Sequence, residues 1–257
     1  MQQAIAIIPA RMGSTRFPGK VLAADTGHPL IWHVHERARA ASCVSRVVVA
    51  TESDDVVRAV EAFGGECVLT SPDHPNGASR LGEACELLGL SDDSIVVNVQ
   101  GDEPELDPAL IDCAVKTLIR TGAPVATIAA PFGDEEDPAR PHIVKVVRRT
   151  DGSALYFSRS HIPYPRDPSP EARPLKHVGL YVYRRDFLRT YGTLAPTPLE
   201  KAEALEQLRM LEHGFSIAVA VREASHHGID TPEDYRAFVA RWRAADAGGG
   251  AGSAASA

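Results

Sequence analysis

Several absences narrow this 257-residue chain before any motif is considered. Its four cysteines, Cys43, Cys67, Cys85 and Cys113, are scattered, with no CxxC pair and no clustered His/Cys spacing. That pattern argues against a disulfide framework or a structural zinc site and fits thiols kept reduced inside a cell. Positive charge is not in surplus: 27 lysines and arginines face 34 aspartates and glutamates, a net charge of −7. No basic face is available to track a nucleic-acid backbone, although a single nucleotide needs only a local cluster of cations. No apolar run is long enough to span a bilayer, and no basic stretch leads into an apolar leader segment. The expected location is therefore the cytoplasm, without membrane insertion. The phosphate-binding spacing GxxxxGK[ST] is missing, and so is GxGxxG, which counts against a P-loop ATPase or a dinucleotide-dependent dehydrogenase. No internal repeat is present.

What remains is a composition of 44% apolar and 24% charged residues, sufficient for an ordinary globular core. The chain is organised around its opening stretch. Residues Ala4–Ala10 are apolar throughout, as in a strand covered on both faces. They lead into Arg11-Met-Gly-Ser-Thr-Arg-Phe-Pro-Gly-Lys20, which holds three cations, two hydroxyls and two glycines. Such a loop is either an ordinary βα turn with solvated cations or a phosphate nest at the carboxyl end of a sheet strand.

Helices are predicted at 29–41, 54–63, 80–88 and 108–121, alternating with strands at 46–51, 67–70, 94–99 and 125–130. This order predicts a parallel sheet with right-handed crossovers. Further strands are expected at 144–148, 154–159, 179–184 and 217–221, and helices at 199–213 and 232–244, the last capped by Thr231. The segment 162–176 carries five prolines and reads as an irregular excursion. The Ala/Gly/Ser tail from Ala245 to Ala257 is expected to be disordered.

The strand at 94–99 runs into Gln100-Gly-Asp-Glu-Pro104, placing Gln100 and Asp102 on the same sheet edge as the opening loop. Asp102 is either a turn aspartate or a carboxylate ligand for Mg²⁺, with Asp230 in the Gly-Ile-Asp-Thr-Pro turn as a possible second ligand. His226 and His227 are adjacent and make a poor chelating pair. His177 reads as a satisfied surface histidine or a donor to substrate, and Glu200, Glu203 and Glu206 as the solvated face of a helix.

The runs Ile8-Pro-Ala-Arg-Met-Gly-Ser-Thr-Arg-Phe-Pro-Gly-Lys20, Val97-Asn-Val-Gln-Gly-Asp-Glu-Pro104, Ala154-Leu-Tyr-Phe-Ser-Arg159, Leu205-Glu-Gln-Leu-Arg209 and Gly228-Ile-Asp-Thr-Pro-Glu-Asp234 together resemble the 3-deoxy-manno-octulosonate (Kdo) cytidylyltransferases, or CMP-Kdo synthetases. Any one run is shared with other sugar nucleotidyltransferases; the ordered set, over about residues 4–242, is specific. The resemblance implies a Rossmann-like α/β nucleotidyltransferase fold, a mostly parallel sheet with helices on both faces. It implies one domain over residues 1–244, with an excursion at about 154–200 serving as sugar lid and dimer contact. It also implies a homodimer that uses Mg²⁺ to convert CTP and Kdo to CMP-Kdo and diphosphate, for lipopolysaccharide biosynthesis.

On the same resemblance, Arg11, Arg16 and Lys20 would grip the triphosphate beside the amides of Gly13 and Ser14. Ala10 would read the base edge and Arg80 would lie near the cytidine. Asp102 and Asp230 would hold the metal, so that Lys20, Asp102, Asp230 and Arg11 carry the chemistry. Gln100, Arg159, His177, Glu206 and Gln207 would face the sugar, which gives two positions of the 199–213 helix a role beyond solvation. One departure from the family pattern is Gly77-Ala-Ser-Arg80, where members commonly carry an acidic residue before the arginine. Another acidic sugar, such as an amino-Kdo or a sialic acid, is the near alternative; a non-catalytic binding protein is the remote one.

Overall fold

In the computed structural model, which describes residues 3–74, 76–167, 173–224 and 228–249, strand β1 (Ala4–Ala10) lies inside a sheet with both faces covered. Its side chains alternate between two cores. Ala6 and Ile8 pack with Ile31 and Val34 of α1 (Leu30–Arg39), Val56 of α2 (Asp54–Ala62) and Leu110 of α4 (Pro108–Thr121). Ile7 points the other way, towards Leu81 of α3 (Gly77–Leu87), Phe187 of α5 (Arg185–Thr193) and Leu208 of α7 (Gln207–Glu212). Period-two alternation inside a continuous apolar run is the signature of a strand sandwiched between helix layers.

β1 is flanked in parallel by β2 (Val44–Thr51) and β4 (Ile95–Asn98), and β3 (Glu66–Leu69) pairs outside β2. Ala10 lies beside Thr51 and Ile7 beside Asn98. The loops that follow β1, β2 and β4 therefore leave the sheet at one edge, which gathers distant sequence motifs into one place.

Beyond β4 comes β8 (Leu175–Arg184), antiparallel to it, then β5 (Val125–Pro131) and β9 (Ile217–Val221). β6 (Lys145–Arg148) and β7 (Ala154–Ser158) form an antiparallel pair attached through β6 to the start of β8. Helix α6 (Pro198–Glu203) precedes α7, and α8 (Pro232–Gly249) packs Tyr235 and Phe238 against Leu30.

Four expectations need correction. The excursion drawn over about 154–200 contains β8, which is a central strand of the sheet; Val182 and Tyr183 are buried there against both neighbours. The predicted helix at 199–213 is two helices, broken where Ala204 adopts a left-handed conformation with φ 49° and ψ 51°. Helix α5 was not foreseen; it starts directly from the end of β8, with no loop to announce it. The last helix continues to Gly249, past the residue where disorder was expected to begin. Residues 250–257 and His226 and His227 fall outside the described residues. Among the described residues no helix is long and apolar enough to cross a membrane.

Candidate active site

The opening loop folds back so that Lys20 faces two carboxylates. Gly19 makes this possible with φ 69°, a conformation that favours glycine, and its amide closes the loop on Met12 O at 3.2 Å. Lys20 Nζ donates to Asp102 Oδ2 at 2.6 Å and to Ile229 O at 2.7 Å, and lies 3.7 Å from Asp230 Oδ1. Arg16 reaches Asp230 at 2.8 Å. Asp102 follows β4 and Asp230 precedes α8, whose start is tied by Thr231 Oγ1 accepting from the Asp234 amide at 3.2 Å. Residues from three separate motifs thus meet at one site, with Asp102, Ile229 and Asp230 around the Lys20 ammonium and Arg16 on Asp230.

Gly101 allows the approach of the β4 turn to β1. A Cβ there would stand 2.8 Å from Pro9 O, a backbone atom that cannot swing away. Gly101→Ala is expected to destabilise the fold by about 1–3 kcal/mol, lowering the melting temperature by about 2–12 °C at this chain length. Thermal unfolding measures it. A melting temperature unchanged from the native protein would contradict the close packing.

Beside this carboxylate pair opens a cleft of about 720 Å³ whose wall includes Gln100, Asp102, Arg159, His177 and Asp230. It continues into a pocket of about 270 Å³ bounded by Gln100, His177, Tyr181, Glu206 and Gln207. A third space, about 180 Å³, is lined by Arg11, His74, Asn76, Arg80, Gln100 and Glu206. Gln100 and Glu206 belong to both smaller pockets and Gln100 to all three, so these spaces form one compound site along the carboxyl edge of the sheet.

A bulge between β5 and β8 shapes the middle of it: Thr127 opposes Tyr181, while the next residue, Ile128, opposes Val178. Within this irregularity Gly179 O accepts from Gln100 Nε2 at 3.3 Å. Thr127 Oγ1 donates to Leu180 O at 2.7 Å and is 3.0 Å from His177 Nε2. The hydroxyl's one proton is committed to the carbonyl, so His177 carries its proton on Nε2 and leaves Nδ1 as an acceptor. The ring lies between Phe157 and Tyr181, and burial pushes its pKa down to about 3, although part of its surface opens into the pocket. A neutral imidazole of this tautomer can accept a hydrogen bond from a ligand hydroxyl through Nδ1 and offers no positive charge to a carboxylate.

Arg159 is also less free than the family pattern suggests. Its Nε donates to Glu203 O at 2.7 Å, Nη1 to Pro141 O at 3.1 Å and Nη2 to Ala204 O at 3.3 Å. One hydrogen on each terminal nitrogen remains for other partners.

The break at Ala204 turns Glu206 and Gln207 towards the pocket; Gln207 is buried and Glu206 stands on the pocket wall. Glu200 and Glu203, expected on a solvated face, are held instead. Glu200 makes a two-pronged pair with Arg209 at 2.8 and 2.5 Å, and Glu203 accepts from Ser158 Oγ at 2.6 Å. Glu206 keeps accessible surface and lines two of the pockets, while its carboxyl is crowded by protein atoms. Burial first, then the charge of Glu200, push its pKa up to about 7 against the opposing pull of Arg209 and Arg11. Because the folded value exceeds the ordinary 4.5, ionising Glu206 opposes folding progressively as pH rises from about 4.5 to about 7. Glu206→Gln is therefore expected to gain melting temperature over the native protein at about pH 8 and not at about pH 4. Paired melts at the two pH values check this; a pH-independent difference contradicts it.

On the nucleotide side, Arg11 faces the third pocket with Arg80 and Glu206, and Ala10 ends β1 with its backbone against Gly101. The Ser14 amide is directed to Met12 O at 3.0 Å, and Ser14 Oγ accepts from the Phe17 amide at 3.3 Å. A Cβ at Gly13 would meet nothing within 4 Å, so the loop is open around it.

Arg80 is buried and forms an ion pair with Glu52 at 2.9 Å, with a further bond from Nη1 to Thr70 Oγ1 at 2.5 Å. Glu52 also accepts from the Met12 amide at 3.1 Å, tying the opening loop to Arg80. Arg80 thus takes its carboxylate partner from the residue after β2, while Ser79 turns inward to Asn76 O at 2.9 Å. Sequence reasoning missed Glu52. The signal was available, since Glu52 directly follows Thr51 at the same strand edge as Arg11 and Gln100.

The arrangement has a close parallel among known proteins. The model of the family described as cytidylyltransferase matches residues 5–218. A 3-deoxy-manno-octulosonate cytidylyltransferase of Syntrophobacter fumaroxidans is 47% identical over 237 residues, covering 91% of this chain and 95% of that protein. One from Herminiimonas arsenicoxydans is 49% identical over 237 residues, covering 89% and 94%. A solved CMP:2-keto-3-deoxy-manno-octonic acid synthetase in complex with CTP superposes with a TM-score of 0.88 at 42% identity, covering 94% of this chain and 98% of its own. The chain belongs to the cytidylyltransferase family, among the 3-deoxy-manno-octulosonate cytidylyltransferases.

Proposed function

We propose that this protein transfers the cytidylyl group of CTP to the anomeric hydroxyl of Kdo, releasing diphosphate and forming CMP-Kdo. The observation that carries it is the meeting of Lys20, Arg16, Asp102 and Asp230 at the mouth of a pocket bounded by Gln100, His177, Glu206 and Gln207. Nucleotidyl transfer demands little covalent chemistry of a protein. It demands an aligned nucleophile and neutralised charge on the phosphoryl oxygens and the leaving group. In this reading Arg11, Arg16 and Lys20 hold the triphosphate, and Arg80, which lines the same pocket as Arg11, lies on the base side. Gln100, Glu206, Gln207 and the acceptor nitrogen of His177 supply hydrogen bonds for a polyhydroxylated acid, and orient its anomeric oxygen towards the α-phosphorus.

The two carboxylates fit Mg²⁺. They are hard oxygen donors, both open to the cleft, and they already share one cation, the Lys20 ammonium. No group of three or more metal-ligating side chains occurs among the described residues. That count suits an ion that takes one or two protein carboxylates and completes its shell with phosphate oxygens and water. Asp102 and Asp230 would hold it, where it supplies charge neutralisation and lowers the pKa of a nearby hydroxyl.

A cytoplasmic homodimer accords with this reading, since the enzyme draws on CTP. Strand β7 pairs only with β6 among the described residues and exposes Leu155, and Tyr164 is exposed beyond it, leaving an apolar edge for a second copy. The test is diphosphate release from CTP and Mg²⁺ with a panel of acidic sugars. Release with Kdo is expected. Release with an amino-Kdo or a sialic acid but not with Kdo would overturn the substrate assignment, and no release with any of them would overturn the activity.

A further inference from the structure

Behind the sugar-side wall stands a lysine that the chemistry above does not use. Lys145 opens β6 and exposes none of its surface. Its Nζ donates to Ile143 O at 2.8 Å, to Arg140 O at 3.1 Å and to Arg159 O. An ammonium has three hydrogens, and all three go to backbone carbonyls. Lys145 thereby fastens the segment entering β6 to the residue that follows β7.

A second fastening crosses from there to the helices. The Glu203 carboxylate accepts from Ser158 Oγ at 2.6 Å and from the Arg159 amide at 2.9 Å. Arg159 returns its guanidinium to the carbonyls of Glu203, Ala204 and Pro141. The bonds close a ring through residues 140–143, 158–159 and 203–204. Ala204 is the one non-glycine residue of positive φ among the described residues. Such a conformation is strained for a residue with a Cβ and persists because its surroundings hold it, and two and three residues beyond it stand Glu206 and Gln207.

We infer that Lys145 and Glu203 are positioning residues for the sugar side of the site, acting through Arg159 and the break at Ala204 to fix Glu206 and Gln207. The inference rests on the proposal that this pocket takes the acidic sugar. It places the main work of Arg159 in its carbonyl contacts and not in pairing with a substrate carboxylate. Lys145→Met removes the three donors at nearly constant volume; Glu203→Gln weakens the second fastening at a half-buried position, should the first variant fold poorly.

In the full-length protein with CTP, Mg²⁺ and Kdo, both variants are expected to raise KM for Kdo at least tenfold, with KM for CTP within about twofold of native. Arg159→Lys, which keeps the charge but not the forked geometry, should lose as much as Arg159→Ala. Hydrogen exchange in residues 203–208 should quicken at least tenfold in Lys145→Met and Glu203→Gln, while residues 4–10 keep native protection. Native KM for Kdo in both variants, rescue by Arg159→Lys, or unchanged exchange would overturn the inference. A native protein inactive with Kdo would contradict the substrate proposal alone, and the exchange readout would then decide the positioning claim by itself.

Discussion

Asp102→Asn is expected to lower kcat about a thousandfold, with KM for CTP changed by less than about threefold. The substitution keeps the size of the side chain and removes one of the two negative charges that share the Lys20 ammonium. In the native protein that charge lies 2.6 Å from Lys20 Nζ and shares the ammonium with Asp230. On the proposed reading, nucleotide affinity would be spread over Arg11, Arg16, Lys20 and the base-side pocket, so a single carboxylate would carry little of it. The demand on Asp102 peaks when charge shifts to the leaving diphosphate, so its loss falls mainly on turnover. A thousandfold corresponds to about 4 kcal/mol of transition-state stabilisation. The Mg²⁺ concentration for half-maximal rate should rise as well. Steady-state kinetics across a Mg²⁺ series measures both quantities, and unchanged kcat would remove Asp102 from the metal-binding role.

Lys20→Met is the second large effect. The ammonium is nearly enclosed and holds together Asp102, Ile229 O and, more distantly, Asp230. Removing it leaves two carboxylates without their shared cation and takes one positive charge from the triphosphate grip. A fall in kcat/KM of about a hundredfold to a thousandfold is expected. Binding of Mg²⁺ alone should move in the opposite direction, because the ammonium no longer competes for the carboxylates. Titration calorimetry without nucleotide should therefore show tighter Mg²⁺ binding in Lys20→Met than in the native protein. Weaker binding would mean that Lys20 organises the carboxylates instead of substituting for the cation.

Much of the scaffold was legible because its signals are local. β1 declared itself by an apolar run whose alternate residues serve two cores, and α4 by a proline at its first position and Gly122 after its last. The pairing of Asp102 with the opening loop followed from a topological rule, since both sit at the carboxyl ends of parallel strands. What escaped depends on residues far away in the chain. The break between α6 and α7 carries no glycine, and Ala204 is held by an arginine 45 positions upstream. The tautomer of His177 is set by Thr127, 50 residues earlier in a neighbouring strand, and its neutral state by burial. β8 adjoins a proline-rich segment yet sits centrally, because its burial is fixed by β4 and β5 on either side. Glu52 could have been found by the rule that located Asp102; an acidic residue after β2 is ambiguous with a helix N-terminus, and α2 begins two residues later.

The central claim is that the α-phosphorus of CTP moves to the sugar while the outer two phosphates leave together. Following it directly requires CTP labelled separately at the α- and γ-phosphates, incubated with the protein, Mg²⁺ and Kdo. The account predicts α-label in a product joined to the sugar and γ-label in diphosphate, released in equal amounts. The γ-label appearing in a phosphorylated sugar or in free phosphate, with the α-label left in CDP, would contradict it.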